Sequence, residues 1–176
     1  MMEYKVITCT YEKHARSILD IFNDAIETST ALYEYEKLSM ESMIGWFETK
    51  INGAYPVFGL ESLNGELMAF ASYGSFRMRP AYKYSIEHSI YVHKDFRGNG
   101  LGRILLELLI KSAKENNYHA IIGGIDADNL GSIALHKKHG FQHVGTLPEV
   151  GFKFGRWLNL VFYQLVLDTP TSPTEK

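Results

Sequence analysis

The chain has 176 residues, and its 18 Lys and Arg against 20 Asp and Glu give a formal net charge of -2. A chain of this length fits one ordinary domain with a full core, so we expect neither a repeat array nor a multidomain protein. The small net charge gives no reason to expect a nucleic acid or a membrane as partner. The single cysteine, Cys9, excludes an intrachain disulfide and a cysteine-rich zinc site.

The N-terminal part of the chain predicts a strand followed by two helices. Residues 4–9 form a β-rich run, and apolar residues then recur at spacings of three and four in two successive segments. Ser39 is a suitable N-cap for the second helix. The first ten residues do not resemble a targeting segment, and no apolar run approaches the ~20 residues that span a bilayer, so we expect a cytoplasmic protein.

The middle of the chain predicts a hairpin, a further strand and a helix. The hairpin has its turn at Asn64-Gly65, a pair typical of tight connections between antiparallel strands. Ser85–Val92 is the further strand. After a glycine-rich turn comes the clearest amphipathic helix of the chain, which begins near Leu101.

The C-terminal part predicts a strand, a short helix and a final pair of strands. Residues 120–125 form the apolar strand, and Asn129 is the expected N-cap of a helix that ends at Gly140. Residues 152–167 are expected to form the two last strands, broken near Gly155. We therefore expect a single domain at 1–168 and a disordered tail at 169–176, which is rich in Thr, Ser and Pro.

The chemistry concentrates in the loop Arg97-Gly-Asn-Gly-Leu-Gly-Arg103. Alternating glycines directly before a helix let backbone N–H groups converge on an anion at the positive end of the helix dipole. A P-loop would need Lys and Ser or Thr after Gly102, and a dinucleotide fingerprint would need glycine in place of Arg103, so neither fits. One interpretation is a phosphate or pyrophosphate site, and the other is a tight strand-to-helix turn with a solvated basic edge.

This loop matches the Arg/Gln-x-x-Gly-x-Gly/Ala signature of the GCN5-related N-acetyltransferases. Three blocks, at 79–92, 129–141 and 151–157, resemble the phosphinothricin and methionine sulfoximine acetyltransferase branch of that family. The resemblance implies an α/β fold with a mixed, mostly antiparallel, splayed central sheet flanked by helices. It also implies direct acetyl transfer from acetyl-CoA, as co-substrate, to the primary amine of a small acceptor: phosphinothricin, methionine sulfoximine or sulfone, or a related L-amino acid.

The resemblance also implies roles for individual residues. It places a general base at Glu87, which the reaction needs because an ammonium is not nucleophilic until it loses a proton. It places a proton donor or shuttle at His136, and contacts to the acceptor's carboxylate or phosphinate at Arg79 and Tyr82. The positions matched to acetyl-CoA binding are Ile90, Tyr91, Val92, Arg97, Gly98, Asn99, Gly100, Leu101, Gly102, Arg103 and Asn129.

Each of these residues also has a purely structural interpretation. Glu87 can be a solvated or salt-bridged strand carboxylate, His136 a packed histidine, and Asn129 an N-cap. His136, His139 and His143 lack the pattern of a zinc site, so no metal is expected. The alternative functions are a protein or peptide N-acetyltransferase and a non-catalytic acyl-CoA-binding sensor. A homodimer is expected from the resemblance.

Overall fold

The computed structural model describes residues 3–175, which contain four α-helices and seven β-strands in one sheet. The elements are β1 (Lys5–Thr8), α1 (Tyr11–Thr28), α2 (Met40–Asn52), β2 (Val57–Glu61), β3 (Leu67–Ser75), β4 (Ser85–Val92), α3 (Leu101–Glu115), β5 (Ala120–Asp126), α4 (Leu130–Lys138), β6 (Gln142–Lys153) and β7 (Arg156–Val166), with short 3-10 turns at Pro80–Tyr82 and Lys94–Phe96.

The strand order in the sheet is β1-β2-β3-β4-β5-β7-β6. The β4–β5 pairing is parallel, whereas β1–β2, β2–β3, β5–β7 and β6–β7 are antiparallel. The predicted α/β class with a mixed, mostly antiparallel sheet is confirmed.

The chain divides into two compact units. The first consists of Met1–Gly74 and Ser89–Leu109, and the second of Ser75–His88 and Ile110–Lys176. The division falls within β4 and within α3, so the beginning of β4 belongs to the second unit and its end to the first.

An aromatic cluster forms part of the core of the first unit. The ring of Phe22 on α1 lies 5.7 Å from Trp46, 5.0 Å from Phe70 and 5.0 Å from Tyr91, all in edge-on contact. Edge-on contacts of this kind add to the free energy gained by burying the rings. Cys9 is buried beside this core, and burial raises the pKa of its thiol to about 12, so the thiol is a packing group rather than a nucleophile.

Local signals in the first unit act as predicted. The Ser39 hydroxyl accepts a hydrogen bond from the backbone N–H of Ser42 at 3.2 Å and caps α2. Gly65 has a φ of +83° in the turn between β2 and β3, a conformation that glycine adopts without strain.

The second unit is built on β7, which pairs with β5 on one side and β6 on the other. The prediction that the last strands begin near 152 was wrong, because β6 begins at Gln142. Its pairing with β7 shifts register between His143 and Gly145 and again between Leu147 and Gly151. Each irregularity breaks the alternation of apolar and polar residues by which a strand is recognised in a sequence. The backbone hydrogen bonds between β6 and β7 do not need that alternation, so the strand forms although its pattern is missing.

Residues 167–175 form neither helix nor strand. The Thr169 hydroxyl donates to the backbone carbonyl of Tyr118, and the Thr174 N–H donates to the Tyr84 hydroxyl at 3.0 Å. The division into one domain at 1–168 and a disordered tail stays a prediction. No helix among residues 3–175 is both long enough and apolar enough to cross a membrane.

Candidate active site

Glu87 lies on β4 in the second unit with its side chain 39% exposed. Burial raises the pKa of this carboxyl above its ordinary value, and the Arg77 guanidinium, whose Nη1 lies 4.0 Å from Oε2, opposes that rise. A half-buried carboxylate with a raised pKa accepts a proton more readily than one in water. This is the property that a general base at neutral pH requires.

A glycine of β5 makes room for the Glu87 carboxylate. A Cβ at Gly124 would lie 3.1 Å from Glu87 Oε1, which is closer than an ordinary contact. The strands pair in parallel here, with Glu87 opposite Ile122. Consecutive glycines inside a strand, here Gly123 and Gly124, indicate that another group approaches the backbone closely. The prediction of the site residues did not use this signal.

The neighbouring glycine faces a buried pair of histidines. A Cβ at Gly123 would lie 3.0 Å from Nε2 of His88 and 3.2 Å from Nε2 of His136. Because successive strand residues point to opposite faces, the two glycines place His136 and Glu87 on opposite faces of β5. The structure therefore does not bring the two predicted catalytic side chains together.

His88 and His136 contact each other directly. Their Nε2 atoms are 2.9 Å apart, and the rings are stacked with an interplanar angle of 17°. Nδ1 of His136 lies 2.7 Å from the backbone carbonyl of Ser132 on α4. Burial lowers the pKa of His88 to about 3 and also lowers the pKa of His136, so both rings are neutral at neutral pH.

A cavity of about 300 Å³ lies in the second unit, at the lower end of the range of small-molecule pockets. Ser85 lines it and precedes Glu87 by two residues on β4, which places both side chains on one face of the strand. Its walls are mainly apolar and carry a few polar groups. The lining residues are Phe76, Tyr82, Ser85, Ala120, Ile122, Val144, Gly145, Phe162 and Gln164.

The two residues predicted to contact the acceptor's anion lie at the 3-10 turn before β4. Tyr82 lines the cavity, and its ring packs edge-on against Phe76 at 5.8 Å. Arg79 is exposed, and its backbone carbonyl accepts a hydrogen bond from the Tyr82 N–H at 2.9 Å. Sequence reasoning missed Arg77, which lies closer to Glu87 and stacks on the Phe76 ring at 4.1 Å. Arg77 precedes Arg79 by two residues, and this spacing was the signal that could have suggested a second arginine at the same site.

The glycine loop belongs to the first unit and has the backbone conformation that its glycines predict. Gly98 has a φ of +81° and Gly100 a φ of +77°, while a Cβ at either position would meet open space. The backbone conformation, rather than crowding, therefore requires glycine at both positions. Arg103 lies in the first turn of α3 and forms an exposed ion pair with Glu107 at 3.3 Å.

Arg97 is held by α1 and by the end of β4. Its Nη2 lies 2.7 Å from Oδ2 of Asp24, and its Nε donates to the carbonyl of Val92 at 3.3 Å. Asp24 was not predicted, because no local pattern connects an α1 carboxylate with a loop more than seventy residues later. This pair fixes the start of the loop to α1.

Two further residues predicted to contact acetyl-CoA, Tyr91 and Asn129, have structural roles in this chain. Tyr91, at the end of β4, stacks on Phe70 at 5.5 Å. The Asn129 carboxamide oxygen accepts a hydrogen bond from the Ser132 N–H at 3.1 Å, which confirms the predicted N-cap of α4. Among residues 3–175, no group of three or more His, Cys, Asp and Glu side chains is arranged to hold a metal ion.

The model of the Acetyltransferase (GNAT) family matches residues 16–141 of this chain. Because this match covers more than half of the chain, the protein belongs to the GNAT family of acetyltransferases. It is therefore an acyltransferase, as the glycine loop and the matched blocks predicted.

Individual relatives support the same assignment. An L-methionine sulfoximine/L-methionine sulfone acetyltransferase from Pseudomonas aeruginosa is 40% identical over 155 residues, which are 88% of this chain and 90% of the relative. The solved structure of a protein from Acinetobacter baylyi ADP1 is 52% identical, with a TM-score of 0.99 over 100% of this chain and 98% of its own. A GNAT superfamily phosphinothricin acetyltransferase from Sinorhizobium meliloti, solved in complex with acetyl-CoA, is 30% identical, with a TM-score of 0.92 over 98% of this chain and 93% of its own. These similarities confirm the predicted fold and branch of the family.

Proposed function

We propose that this protein transfers the acetyl group of acetyl-CoA to the primary amine of a small L-amino acid or analogue, of the size of methionine sulfoximine, methionine sulfone or phosphinothricin. The observation that carries the proposal is the half-buried Glu87 with its raised pKa, on the strand face that also lines the cavity of about 300 Å³. The named activities of the relatives support the same class of acceptor.

Glu87 acts as the general base in this proposal. Its carboxylate takes a proton from the acceptor's ammonium group, after which the nitrogen lone pair can attack the thioester carbonyl carbon. The new C–N bond forms and the C–S bond breaks, and the second proton of the former ammonium group passes from the nitrogen to the departing thiolate, so that coenzyme A leaves as its thiol. Desolvation of Glu87 makes the first step easier, because it raises the affinity of the carboxylate for the proton.

Arg79 and Tyr82 bind the acceptor's own carboxylate or phosphinate, and Arg77 assists. Guanidinium groups bind such anions in bidentate fashion. The support is that Tyr82 lines the cavity, Arg77 lies 4.0 Å from Glu87, and the Arg79 side chain makes no ion pair with the residues that the structure describes. An anion bound by these residues would fix the acceptor by its non-reacting end.

Acetyl-CoA supplies an activated acetyl group, and we propose that the loop from Arg97 to Arg103 binds its pyrophosphate. The loop offers backbone N–H groups at the N-terminus of the fifteen-residue helix α3, where the helix dipole favours an anion. In this proposal the Arg97 side chain holds the loop in place through its ion pair with Asp24, and the backbone N–H groups of the loop contact the pyrophosphate. The roles of Ile90, Tyr91, Val92 and Asn129 toward the rest of acetyl-CoA rest on family resemblance alone.

Two other functions compete with this proposal. A peptide N-acetyltransferase needs room for an extended chain, whereas the cavity is small and walled by Phe76, Tyr82 and Phe162. An acyl-CoA-binding sensor needs no base, whereas the pKa of Glu87 is raised by burial. These two observations favour a small acceptor and a catalytic function.

An assay of thiol release tests the acceptor class. The panel comprises the common L-amino acids, methionine sulfoximine, methionine sulfone, phosphinothricin and a short peptide with a free N-terminus. We expect turnover with one or more of the small acceptors and none with the peptide. Turnover with the peptide alone, or with no member of the panel, would contradict the proposal.

Replacement of Glu87 by Gln tests the base. We expect kcat to fall by roughly 10²-fold or more, the usual size of a general-base contribution, with acetyl-CoA affinity nearly unchanged. Glu115→Gln is the matched control, because Glu115 is exposed and pairs with Lys111 on the same helix at 3.8 Å. If Glu87→Gln retained the wild-type kcat, Glu87 would not be the base.

We propose a homodimer formed through the β6–β7 hairpin. Large apolar side chains are exposed there, among them Phe154 at 57% and Trp157 at 59%. Exposed apolar patches of this kind mark protein contacts. Trp157→Glu should shift the protein from dimer to monomer in analytical ultracentrifugation, whereas a wild-type protein that is monomeric at every concentration would refute the dimer.

A cytoplasmic location stays a prediction.

A further inference from the structure

The buried histidine pair contains His136, for which the family resemblance predicts a proton donor or shuttle, and His88, for which no role was predicted. His88 is 9% exposed and His136 is 3% exposed, and both belong to the second unit. Their Nε2 atoms lie 2.9 Å apart, which is hydrogen-bond distance. A hydrogen bond between two imidazole nitrogens needs one donor and one acceptor, so the protons of the pair can be assigned.

The Ser132 carbonyl determines the tautomer of His136. A carbonyl oxygen only accepts hydrogen bonds, so Nδ1 of His136, at 2.7 Å from it, must carry a proton. The Ser132 hydroxyl, at 3.4 Å from the same nitrogen, is too distant to compete. A neutral imidazole has one N–H, and His136 therefore presents a bare lone pair at Nε2.

His88 must then donate. Because Nε2 of His136 has no proton, the hydrogen bond at 2.9 Å is made by the Nε2–H of His88. Its own Nδ1 is left as a lone pair, and this atom is buried without a hydrogen-bond partner among the residues that the structure describes. A buried acceptor without a partner costs free energy, so an N–H or O–H group is expected to occupy it in solution.

We propose that His88 is a positioning residue for His136: together with the Ser132 carbonyl it holds His136 as the Nδ1–H tautomer with neither nitrogen free to donate, and its own Nδ1 is the acceptor site of the pair for one N–H or O–H group. Protonation of His136 at Nε2 requires that the Nε2–H of His88 leave this contact, because a hydrogen bond between the two nitrogens holds only one proton. Only the effect of the pair on kcat rests on the proposed function, since the tautomers follow from the geometry alone.

The surroundings of the pair are consistent with one shared proton between the two rings. Gly123 on β5 leaves room at the contact, and Phe141 packs edge-on against both rings, at 5.9 Å from His88 and 5.0 Å from His136. The other titratable neighbour is His139, one turn further along the chain, whose positive charge would oppose a charge on His136. None of these groups offers a carboxylate that would stabilise a doubly protonated ring.

Nitrogen-15 NMR of the ring nitrogens tests the proposal without any turnover. In the wild-type protein at neutral pH we expect His136 as the Nδ1–H form and His88 as the Nε2–H form. His136 found as the Nε2–H form, or as the charged form, would overturn the proposal. The measurement needs no acceptor, so this result would leave the proposed function untouched, whereas an inactive acceptor panel would leave the tautomers untouched.

Variants of His88 test the positioning role. His88→Phe keeps a planar ring and removes the donor, and we expect the pKa of His136 to rise, because the lone pair at its Nε2 is no longer held in a hydrogen bond, with a matching upward shift in the pH profile of kcat. His88→Gln keeps an N–H donor near the same place and should restore the wild-type titration, even if the Phe variant folds poorly. The control is His143→Phe, at an exposed position on β6. An unchanged His136 titration in His88→Phe, or no difference between Phe and Gln at this position, would overturn the role.

Discussion

Gly123 and Gly124 are neighbours in β5, yet each leaves space for a different group. The space that a side chain at Gly124 would fill is occupied by the Glu87 carboxylate, and the space that one at Gly123 would fill is occupied by the rings of His88 and His136. Glycine inside a strand is normally unfavourable by about 0.5–1 kcal/mol relative to alanine. This chain therefore accepts a local cost at two consecutive positions, and the close approach of Glu87 and of the histidines explains it.

Gly124→Ala should separate catalysis from stability. The added Cβ, 3.1 Å from Oε1, displaces the Glu87 side chain by a few tenths of an ångström. Because a displacement of about 1 Å at a reacting group can cost roughly 10²-fold in rate, we expect kcat to fall by about three- to tenfold while the melting temperature is kept or rises. Gly45→Ala is the control, because a Cβ there meets nothing within 4 Å. A fully active Gly124→Ala would show that the position of Glu87 is not critical.

At the scale of elements, helix α1 stabilises the glycine loop. Arg97 connects them, because its guanidinium contacts Asp24 on α1 at 2.7 Å and the Val92 carbonyl at the end of β4 at 3.3 Å. The 3-10 turn Lys94–Phe96 lies between Val92 and Arg97 in the sequence. The loop conformation thus depends on a helix at the other end of the first unit's sequence.

Asp24→Asn should weaken acetyl-CoA binding by about two- to fivefold, since a partly exposed ion pair contributes roughly 0.5–1 kcal/mol. Isothermal titration calorimetry measures this directly. Asp20→Asn is the matched control, because Asp20 lies on the same helix and pairs with Arg16 at 3.6 Å. Tighter binding by Asp24→Asn would instead mean that Asp24 competes with the coenzyme phosphates for Arg97.

At the scale of the whole molecule, the buried histidines determine how stability depends on pH. Their pKa values are lowered, to about 3 for His88, from an unfolded value of about 6.5. Below that unfolded value the unfolded chain binds more protons than the folded one, so stability falls as the pH falls. Glu87 acts in the opposite sense, because its raised pKa favours proton binding to the folded state at pH values above its unfolded pKa.

The histidines should dominate, because two buried rings oppose one half-exposed carboxylate. We expect the free energy of unfolding in urea to be lower at about pH 5.5 than at about pH 7. His88→Phe removes one of the two groups and should show a smaller difference between the two pH values, with His143→Phe as control. Equal pH dependence in the wild type and in His88→Phe would show that His88 is not held neutral by burial.

Several features of the site were predictable because their causes are local. Ser39 and Asn129 cap the helices that follow them, and Gly98 and Gly100 take positive φ in a loop whose spacing indicated that conformation. A cap or a turn depends on a few consecutive residues, so the sequence contains the whole interaction. The family signature lies in such a loop, and for that reason the family was predictable as well.

The sequence by itself thus determined the order of strands and helices, the conformation of the glycine loop, and the family. Tertiary structure alone decided that Glu87 and His136 lie on opposite faces of β5, that His88 contacts His136, that Asp24 binds Arg97, and that β6 begins at Gln142. These are contacts between residues far apart in the chain. Their geometry depends on how the elements pack, which no local pattern of side chains encodes.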